Sequence, residues 1–184
     1  PKIISEGGLT PASVEFMDNK ALKLAERYLS TPVPAGEAGA VLIIQLEEND
    51  PELIEKEYEA IGALSQKDGA FEVYIADTRS TKDRVWQARK SVPEAIASFY
   101  SRYTKEDLVV PTAMVPTLLE TVKEIAEADG LEWIAYGHAG DGNMHCTIIS
   151  PDCPEWHDRL HAAQEKIYSQ VKTLGGTLSG EHGI

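Results

Sequence analysis

Short runs of alternating apolar and polar residues recur along the chain, and most are followed by longer stretches with helical spacing. The β-like runs cover residues 13–17, 41–46, 71–75, 107–110, 132–136 and 144–149. Helical character is found in residues 19–29, 51–66, 81–100, 113–128 and 155–174. Because strands and helices interleave, the pattern predicts a sheet with helices packed against it.

Turn and cap residues define the ends of these elements. Asp18 and Asp50 carry side chains that can cap the helices following them, and Gly175-Gly176 stops the last helix. Pro93 predicts a kink or a restart within residues 81–100, because proline lacks the N–H that an inner helical turn uses.

The last two predicted strands are joined by a glycine-rich turn that is too short for a crossover connection. Their pairing must therefore be antiparallel. This favours an α+β fold, with an antiparallel sheet and helices packed on one face, over a doubly wound parallel sheet.

Composition narrows the class of partner. The chain has 184 residues, enough for one substantial core or two small lobes, and a net charge of -13. Such a charge repels phosphate backbones and anionic lipid surfaces, so nucleic acid and membranes are poor partners. An anionic substrate would need a local basic patch or a bound cation.

Cysteine content and hydropathy bear on location. The two cysteines, Cys146 and Cys153, make no disulfide framework, and no apolar run approaches the ~20 residues that span a bilayer. We expect a cytoplasmic location, with peripheral membrane association through partners as an option. Because the chain begins at Pro1 and ends two residues after His182, we also expect it to be a fragment.

The densest chemical signal lies in the turn between the last two strands. Asp141-Gly142 between β-like runs is typical of a type I′ hairpin turn. With these two residues at the centre of the turn, His138 would lie directly opposite His145, and the two imidazoles could share a metal ion. The alternative is a glycine-rich turn whose histidines bond to nearby backbone.

A second cluster, residues 175–183, places Glu181 beside His182 among four glycines. Ser179 could cap a helix beginning just after it, with Glu181 in the first turn. The glycines exceed what a cap requires and would let the backbone approach a ligand closely. Together the two clusters predict a functional site.

Residues 137–145 and 179–183 resemble the two signature motifs of the C-terminal domain of FAD-linked oxidases. The family includes D-lactate dehydrogenase, the glycolate oxidase flavoprotein subunit and D-2-hydroxyglutarate dehydrogenase. Residues 13–18 and 105–111 are similar to its opening and middle segments. The resemblance implies one domain over residues 1–184, a ferredoxin-like cap for a separate FAD-binding domain.

The resemblance also implies roles for individual residues. His138, His145 and Glu181 match ligands of a divalent metal, usually zinc, and His182 matches the base that takes the proton from the substrate hydroxyl. The remaining matches are to substrate-binding positions, namely Arg89, Lys105, Asn143 and Thr147. Otherwise, Arg89 and Lys105 would be solvated surface charges, and Asn143 a turn residue.

The parent protein would oxidise a small D-2-hydroxy acid, such as lactate or glycolate, by hydride transfer to FAD. An electron-acceptor protein or a quinone would then take the electrons. The chain alone should be inactive, because no segment of it resembles a flavin-binding fold. Pro93 and Thr147 depart from the pattern of some members, which weakens the case for 2-hydroxyglutarate as substrate.

Two other functions use the same residues. One is a metal-dependent hydrolase in which the His/His/Glu set activates water, and the other is an assembly domain braced by a structural metal. His157 and His161 are also spaced to bind metal on one helix face, but they lie at the edge of its apolar stripe. We expect no metal site there.

Overall fold

The computed structural model describes residues 8–33 and 38–181. The strands are Ser13–Asp18 (β1), Ala40–Gln45 (β2), Tyr103–Val109 (β3), Glu132–His138 (β4) and Asn143–Ile149 (β5). The α-helices are Asn19–Leu29 (α1), Pro51–Lys67 (α2), Arg79–Phe99 (α3), Val115–Ala128 (α4) and Trp156–Thr173 (α5). A 3-10 turn, Thr112–Met114, precedes α4.

The strands form one five-stranded sheet in the order β2-β1-β4-β5-β3. Each neighbouring pair of strands is antiparallel. The α+β class and the antiparallel sheet predicted from the sequence are therefore confirmed. β4 and β5 lie at the centre of the sheet, flanked by β1 and β3.

The helices cover both faces of the sheet, and the expectation of helices on one face is wrong. On the first face, α4 and α5 pack against Ala135, Met144 and Ile148. On the second face, α1 and α3 pack against Met17, Ile134 and Tyr136. Both helical layers are needed because successive residues of β4 and β5 are buried, so apolar side chains on each face of the sheet must be shielded from water.

Residues 71–75, predicted as a strand, are irregular. The side chains of Phe71, Tyr74 and Ile75 are mostly exposed. Alternation of apolar residues favours a strand, but a strand is stable only when a neighbouring strand accepts its hydrogen bonds.

Helix α3 runs through Pro93 as one continuous helix, so the restart, one of the two predicted outcomes, does not occur. Its start is fixed by a capping box in which Thr78 and Thr81 bond reciprocally. Buried residues occur on either side of the proline, with Ala88 before it and Ile96 after it. The packing of both halves offsets the backbone bond that Pro93 cannot make.

No helix in the described ranges has the length and apolar character needed to cross a membrane.

Asp18 joins α1 to the centre of the sheet. Its Oδ1 accepts the backbone N–H of Ala21 at 2.7 Å as the helix cap, and its Oδ2 accepts the N–H of Ala135 in β4 at 2.8 Å. The side chain is buried, and this burial raises its pKa from 3.8 to about 6. The Asp18 side chain is therefore a carboxylate at neutral pH although its buried position disfavours the charge.

This burial predicts a pH dependence of stability. The unfolded chain loses the Asp18 proton near 3.8 and the folded chain near 6, so the contribution of Asp18 falls as pH rises between these values. The unfolding free energy of the wild type, relative to Asp18→Asn, should decline by about 1–3 kcal/mol across this window. Urea denaturation of both proteins at several pH values measures it, and a flat difference would contradict the pKa assignment.

Candidate metal and substrate site

The β4–β5 hairpin places His138 and His145 on the same face of the sheet, but not opposite each other. His138 pairs with Asn143, and His145 pairs with Tyr136. The predicted register is therefore wrong by two residues. Because side chains alternate with a period of two, this shift leaves both histidines on the predicted face.

The register differs because the turn has four residues, 139–142, rather than two. The N–H groups of Asp141 and Gly142 both donate to the carbonyl of His138. Asp141 Oδ1 accepts the N–H of Asn143 at 3.0 Å, and Gly140 donates to the carbonyl of Val14 in β1. The loop is thus held by its own side chain and by the neighbouring strand.

Glu181 reaches the histidines from the segment that follows α5. Val109 at the end of β3 pairs with Thr177 through two backbone hydrogen bonds, of 3.1 and 2.8 Å. Gly180 then packs against the side chain of Asn143, where an added Cβ would lie only 2.5 Å from Nδ2. Glycine at 180 allows this close approach. The described part of the segment has no helix for Ser179 to cap.

His138, His145 and Glu181 offer donor atoms that all lie within 4.8 Å of one another. Glu181 Oε1 is 3.5 Å from Nε2 of His138 and 3.3 Å from Nε2 of His145. Two ligands about 2.0–2.1 Å from a tetrahedral zinc ion are about 3.3 Å apart. The residues therefore fit a zinc-sized ion, and Glu181, half exposed, leaves the site open on one side.

Burial also favours a neutral, ligating His145. Its pKa is lowered by burial, an effect that the charges of Asp107 and Glu181 oppose. The ring of His145 lies 5.2 Å from that of Tyr136, whose own pKa burial raises to about 12. Both rings are thus uncharged near neutral pH, as a metal-binding histidine requires.

Arg89 projects from α3 into this face and is buried. Its Nη2 lies 2.9 Å from Glu15 Oε2 as an ion pair, although the N–H direction does not complete a hydrogen bond. Its guanidinium carbon is 5.0 Å from the centre of the Tyr136 ring. Arg89 is therefore no solvated surface charge, and part of its positive charge is balanced by Glu15.

Lys105 and Thr147 lie directly opposite each other on β3 and β5. Lys105 is exposed, whereas Thr147 is buried. Asn143 is buried opposite His138. Asn143 and Thr147 belong to the strand that carries His145, and Lys105 belongs to the neighbouring strand β3.

Several buried polar atoms in this region have no hydrogen-bond partner within the described residues. They include Arg89 Nε, Asn143 Oδ1 and Thr147 Oγ1, in three of the four residues predicted to bind substrate. Ser13 carries such an atom as well. Because leaving a buried polar group unpaired costs about 1–3 kcal/mol, these atoms favour a polar ligand or water here.

The remaining candidates lie apart from this cluster. His182 lies outside the described residues. His157 and His161 are on α5, and His161 is exposed near Glu165, with 4.0 Å between the closest atoms. Cys146 belongs to the apolar core of the opposite face, where burial raises the pKa of its thiol.

Two acidic residues near the histidines were not predicted as site residues. Glu15 Oε1 is 2.8 Å from His138 Nδ1, and Asp107 Oδ1 is 3.5 Å from His145 Nδ1. A signal exists in the sequence for Glu15, because this carboxylate lies in the same phase of β1 as the buried Met17. Asp107 lies in the less buried phase of β3 and carries no such signal. A buried carboxylate in a strand needs a positive or hydrogen-bonding partner.

Comparison with protein families gives a match over the whole chain. Residues 1–184 match the family described as FAD linked oxidases, C-terminal domain.

Curated relatives agree with this match. The chain is 33% identical over 179 residues to the glycolate oxidase subunit GlcD of Bacillus subtilis, covering 96% of this chain and 37% of that protein. It is 33% identical over 184 residues to D-lactate dehydrogenase of Anaerostipes hadrus, covering 96% and 38%. The probable mitochondrial D-2-hydroxyglutarate dehydrogenase of Oryza sativa subsp. indica is 28% identical over 178 residues. The chain thus spans well under half the length of these relatives.

Among solved structures, alkyldihydroxyacetonephosphate synthase has the same fold. The TM-score is 0.56 at 13% sequence identity, over 96% of this chain and 36% of that one. At this identity the likeness concerns the fold alone.

The turn that carries the site should tolerate little change. Gly142 has φ +87°, and an added Cβ would overlap the carbonyl oxygen of Val110. Gly142→Ala should therefore lower the unfolding free energy by about 2–4 kcal/mol, through left-handed strain and overpacking. Gly62→Ala is the control, because no atom lies within 4 Å of its added Cβ in α2. Equal midpoints for the two variants in urea denaturation would refute the prediction.

Proposed function

The chain belongs to the C-terminal domain family of the FAD-linked oxidases, and on this premise we propose that it supplies the substrate- and metal-binding half of a 2-hydroxy-acid dehydrogenase. The observation that carries the proposal is the convergence of His138, His145 and Glu181 within 4.8 Å. The family match favours oxidation over the hydrolase alternative. The reaction is proposed for a protein that joins this domain to an FAD-binding domain.

The substrate class is a small D-2-hydroxy acid, such as lactate or glycolate. Relatives named D-lactate dehydrogenase and glycolate oxidase subunit support this class. The donor set of two imidazoles and one carboxylate suits zinc. When bound, FAD supplies the hydride acceptor, and a divalent ion supplies positive charge that lowers the pKa of the substrate hydroxyl.

The residues of the chain bind and orient the substrate. Arg89 presents a planar fork of donors suited to a carboxylate, with its Nε lacking a hydrogen-bond partner among the described residues. Lys105 adds a second positive charge. The Thr147 hydroxyl donates a hydrogen bond to a carboxylate oxygen of the substrate, and Asn143 Oδ1 is available to the single hydrogen of the substrate hydroxyl before His182 takes it. The low exposure of Arg89, Asn143 and Thr147 excludes water from these contacts.

His182 completes the proposal as the general base. Neutral imidazole accepts the hydroxyl proton at a ring nitrogen while hydride leaves the adjacent carbon, so charge does not build up on the substrate oxygen. It follows Glu181, the third proposed ion ligand, directly in sequence. The electron acceptor beyond FAD, a protein or a quinone, and a cytoplasmic location stay predictions.

Zinc binding tests the ligand set. The purified protein, stripped of metal, should bind Zn²⁺ in competition with a chromophoric chelator. His145→Ala should weaken binding by more than about 100-fold, beyond the range typical of losing an outer contact. His161→Ala removes an exposed imidazole on α5 and serves as the matched control, with unchanged affinity expected. Equal affinity of both variants would contradict the assignment.

Substrate oxidation tests the reaction. The protein that contains both domains should reduce a dye with D-lactate or glycolate, and His182→Asn should lower kcat by at least about 100-fold, the usual contribution of a general base. The chain of 184 residues alone should show no turnover. Full activity of His182→Asn, or a yellow and active isolated chain, would overturn these roles.

A further inference from the structure

The sheet register places one carboxylate beside each histidine. Glu15 of β1 pairs with His138 of β4, and Asp107 of β3 pairs with His145 of β5. Because the strand order is β1-β4-β5-β3, the two histidines lie inside and the two carboxylates outside. The backbone register alone therefore places each carboxylate residue beside its histidine, whatever side-chain rotamers they adopt.

Glu15 contacts the ring nitrogen of His138 that points away from Glu181. Its Oε1 is 2.8 Å from Nδ1, whereas the Nε2 of the same ring is 3.5 Å from Glu181 Oε1. A carboxylate accepts but does not donate, so it favours the tautomer with a hydrogen on Nδ1 and a lone pair on Nε2. That tautomer presents its lone pair to the ion site.

Asp107 contacts both a histidine and the peptide that carries the third ligand. Its Oδ2 accepts the backbone N–H groups of Gly180 and Glu181, both at 2.9 Å. Its Oδ1 is 3.5 Å from His145 Nδ1, a longer and weaker contact. One side chain on the edge strand thus connects the hairpin to the segment bearing Glu181.

We propose that Glu15 and Asp107 are positioning residues of the ion site, with Glu15 setting the His138 ring and Asp107 holding the Glu181 peptide against His145. The inference rests on the proposed function, because it presupposes an ion at His138, His145 and Glu181. If the two acids had a purely structural role, substituting them would lower the stability of the protein but leave its Zn²⁺ affinity and the tautomer of His138 unchanged.

Three variants test Asp107. Asp107→Ala removes both carboxylate oxygens, and with them the contacts to His145 and to the N–H groups of Gly180 and Glu181. It should weaken Zn²⁺ affinity by about 10–100-fold, the range measured for outer-shell partners of metal ligands. It should also speed amide hydrogen exchange at Gly180 and Glu181 in the metal-free protein. Asp107→Asn keeps an oxygen that can accept these N–H groups, so it should restore the amide protection and much of the affinity.

Glu106→Gln is the matched control for Asp107. Glu106 neighbours Asp107 on β3 but lies on the opposite face, where it is buried and accepts hydrogen bonds from Gln164 and Tyr168. It should lower stability without changing Zn²⁺ affinity or the exchange of residues 180 and 181. An Asp107→Ala variant that matches this control in both readouts would overturn the role of Asp107.

Glu15→Gln tests the role of Glu15. The substitution keeps the size of the side chain but replaces the carboxylate by a weaker acceptor, so it should weaken Zn²⁺ affinity by about 10-fold. In the metal-free protein, ¹⁵N chemical shifts should show the Nδ1–H tautomer of His138 in the wild type and a mixture in Glu15→Gln. Asp18→Asn is the control, because Asp18 is a buried carboxylate of the same strand that accepts the backbone N–H groups of Ala21 and Ala135 rather than contacting a histidine. It should change stability without changing Zn²⁺ affinity or the tautomer, and a Glu15→Gln variant that matches it in both readouts would overturn the role of Glu15.

The wild type separates failure of the inference from failure of the proposed function. Absence of Zn²⁺ binding by the wild type would overturn the ion site itself and this inference with it. Wild-type binding that is lost in His145→Ala but unchanged in the Asp107 and Glu15 variants would overturn the positioning roles alone. Graded losses, largest in His145→Ala, would support both.

Discussion

The antiparallel pairing of β4 with β5, between β1 and β3, is the constraint on which the rest of the structure depends. It brings His138 and His145 to one face and sets Glu15 and Asp107 beside them. It also creates a central pair of strands with buried residues on both faces, which is why helices must cover each side. The same hydrogen-bonded register therefore determines both which side chains form the core and which side chains form the candidate site.

The charged side chains of Glu15 and Asp107 on these strands are each placed beside a group of opposite charge or a hydrogen-bond donor. The chain has a net charge of -13, yet Glu15 is buried beside Arg89 and His138. Asp107, which is partly buried, lies beside His145 and two backbone N–H groups. Removing a partner from such a group costs more than the pair itself contributes, because the remaining charge stays buried. In the proposed function, this local balance would allow an acidic protein to present basic groups to an anionic substrate.

Much of the fold could be predicted from local patterns, and the errors have local causes. The helices and the α+β class follow from periodicity and caps, as at Asp18, which caps α1. The strand expected at residues 71–75 fails because alternation does not show which strand would pair with it. The second helical layer could have been predicted from Ile134, Ala135 and Tyr136, three successive residues that are all buried.

For the site, the sequence predicted the three residues that converge but not their register. A two-residue turn was expected, whereas Asp141 and Gly142 both bond back to His138 in a longer loop. The N–H of Gly140 donates a hydrogen bond to the carbonyl of Val14 in β1 and so stabilises that loop. Such a long-range contact cannot be predicted from the hairpin sequence alone. Glu15 and Asp107 were missed for the same reason, since their partners lie 123 and 38 residues away in sequence (138 minus 15, and 145 minus 107).

The alternation of side chains along these strands has an evolutionary consequence. In β5, His145 and Thr147 face the site, whereas Met144, Cys146 and Ile148 form the core of the other face. Loss of one codon within this strand would exchange the two sets, sending an imidazole into hydrocarbon and a thiol toward the ligand. Substitutions can therefore change one side chain of the candidate site at a time, but gaps in an alignment of descendants should be confined to the loops.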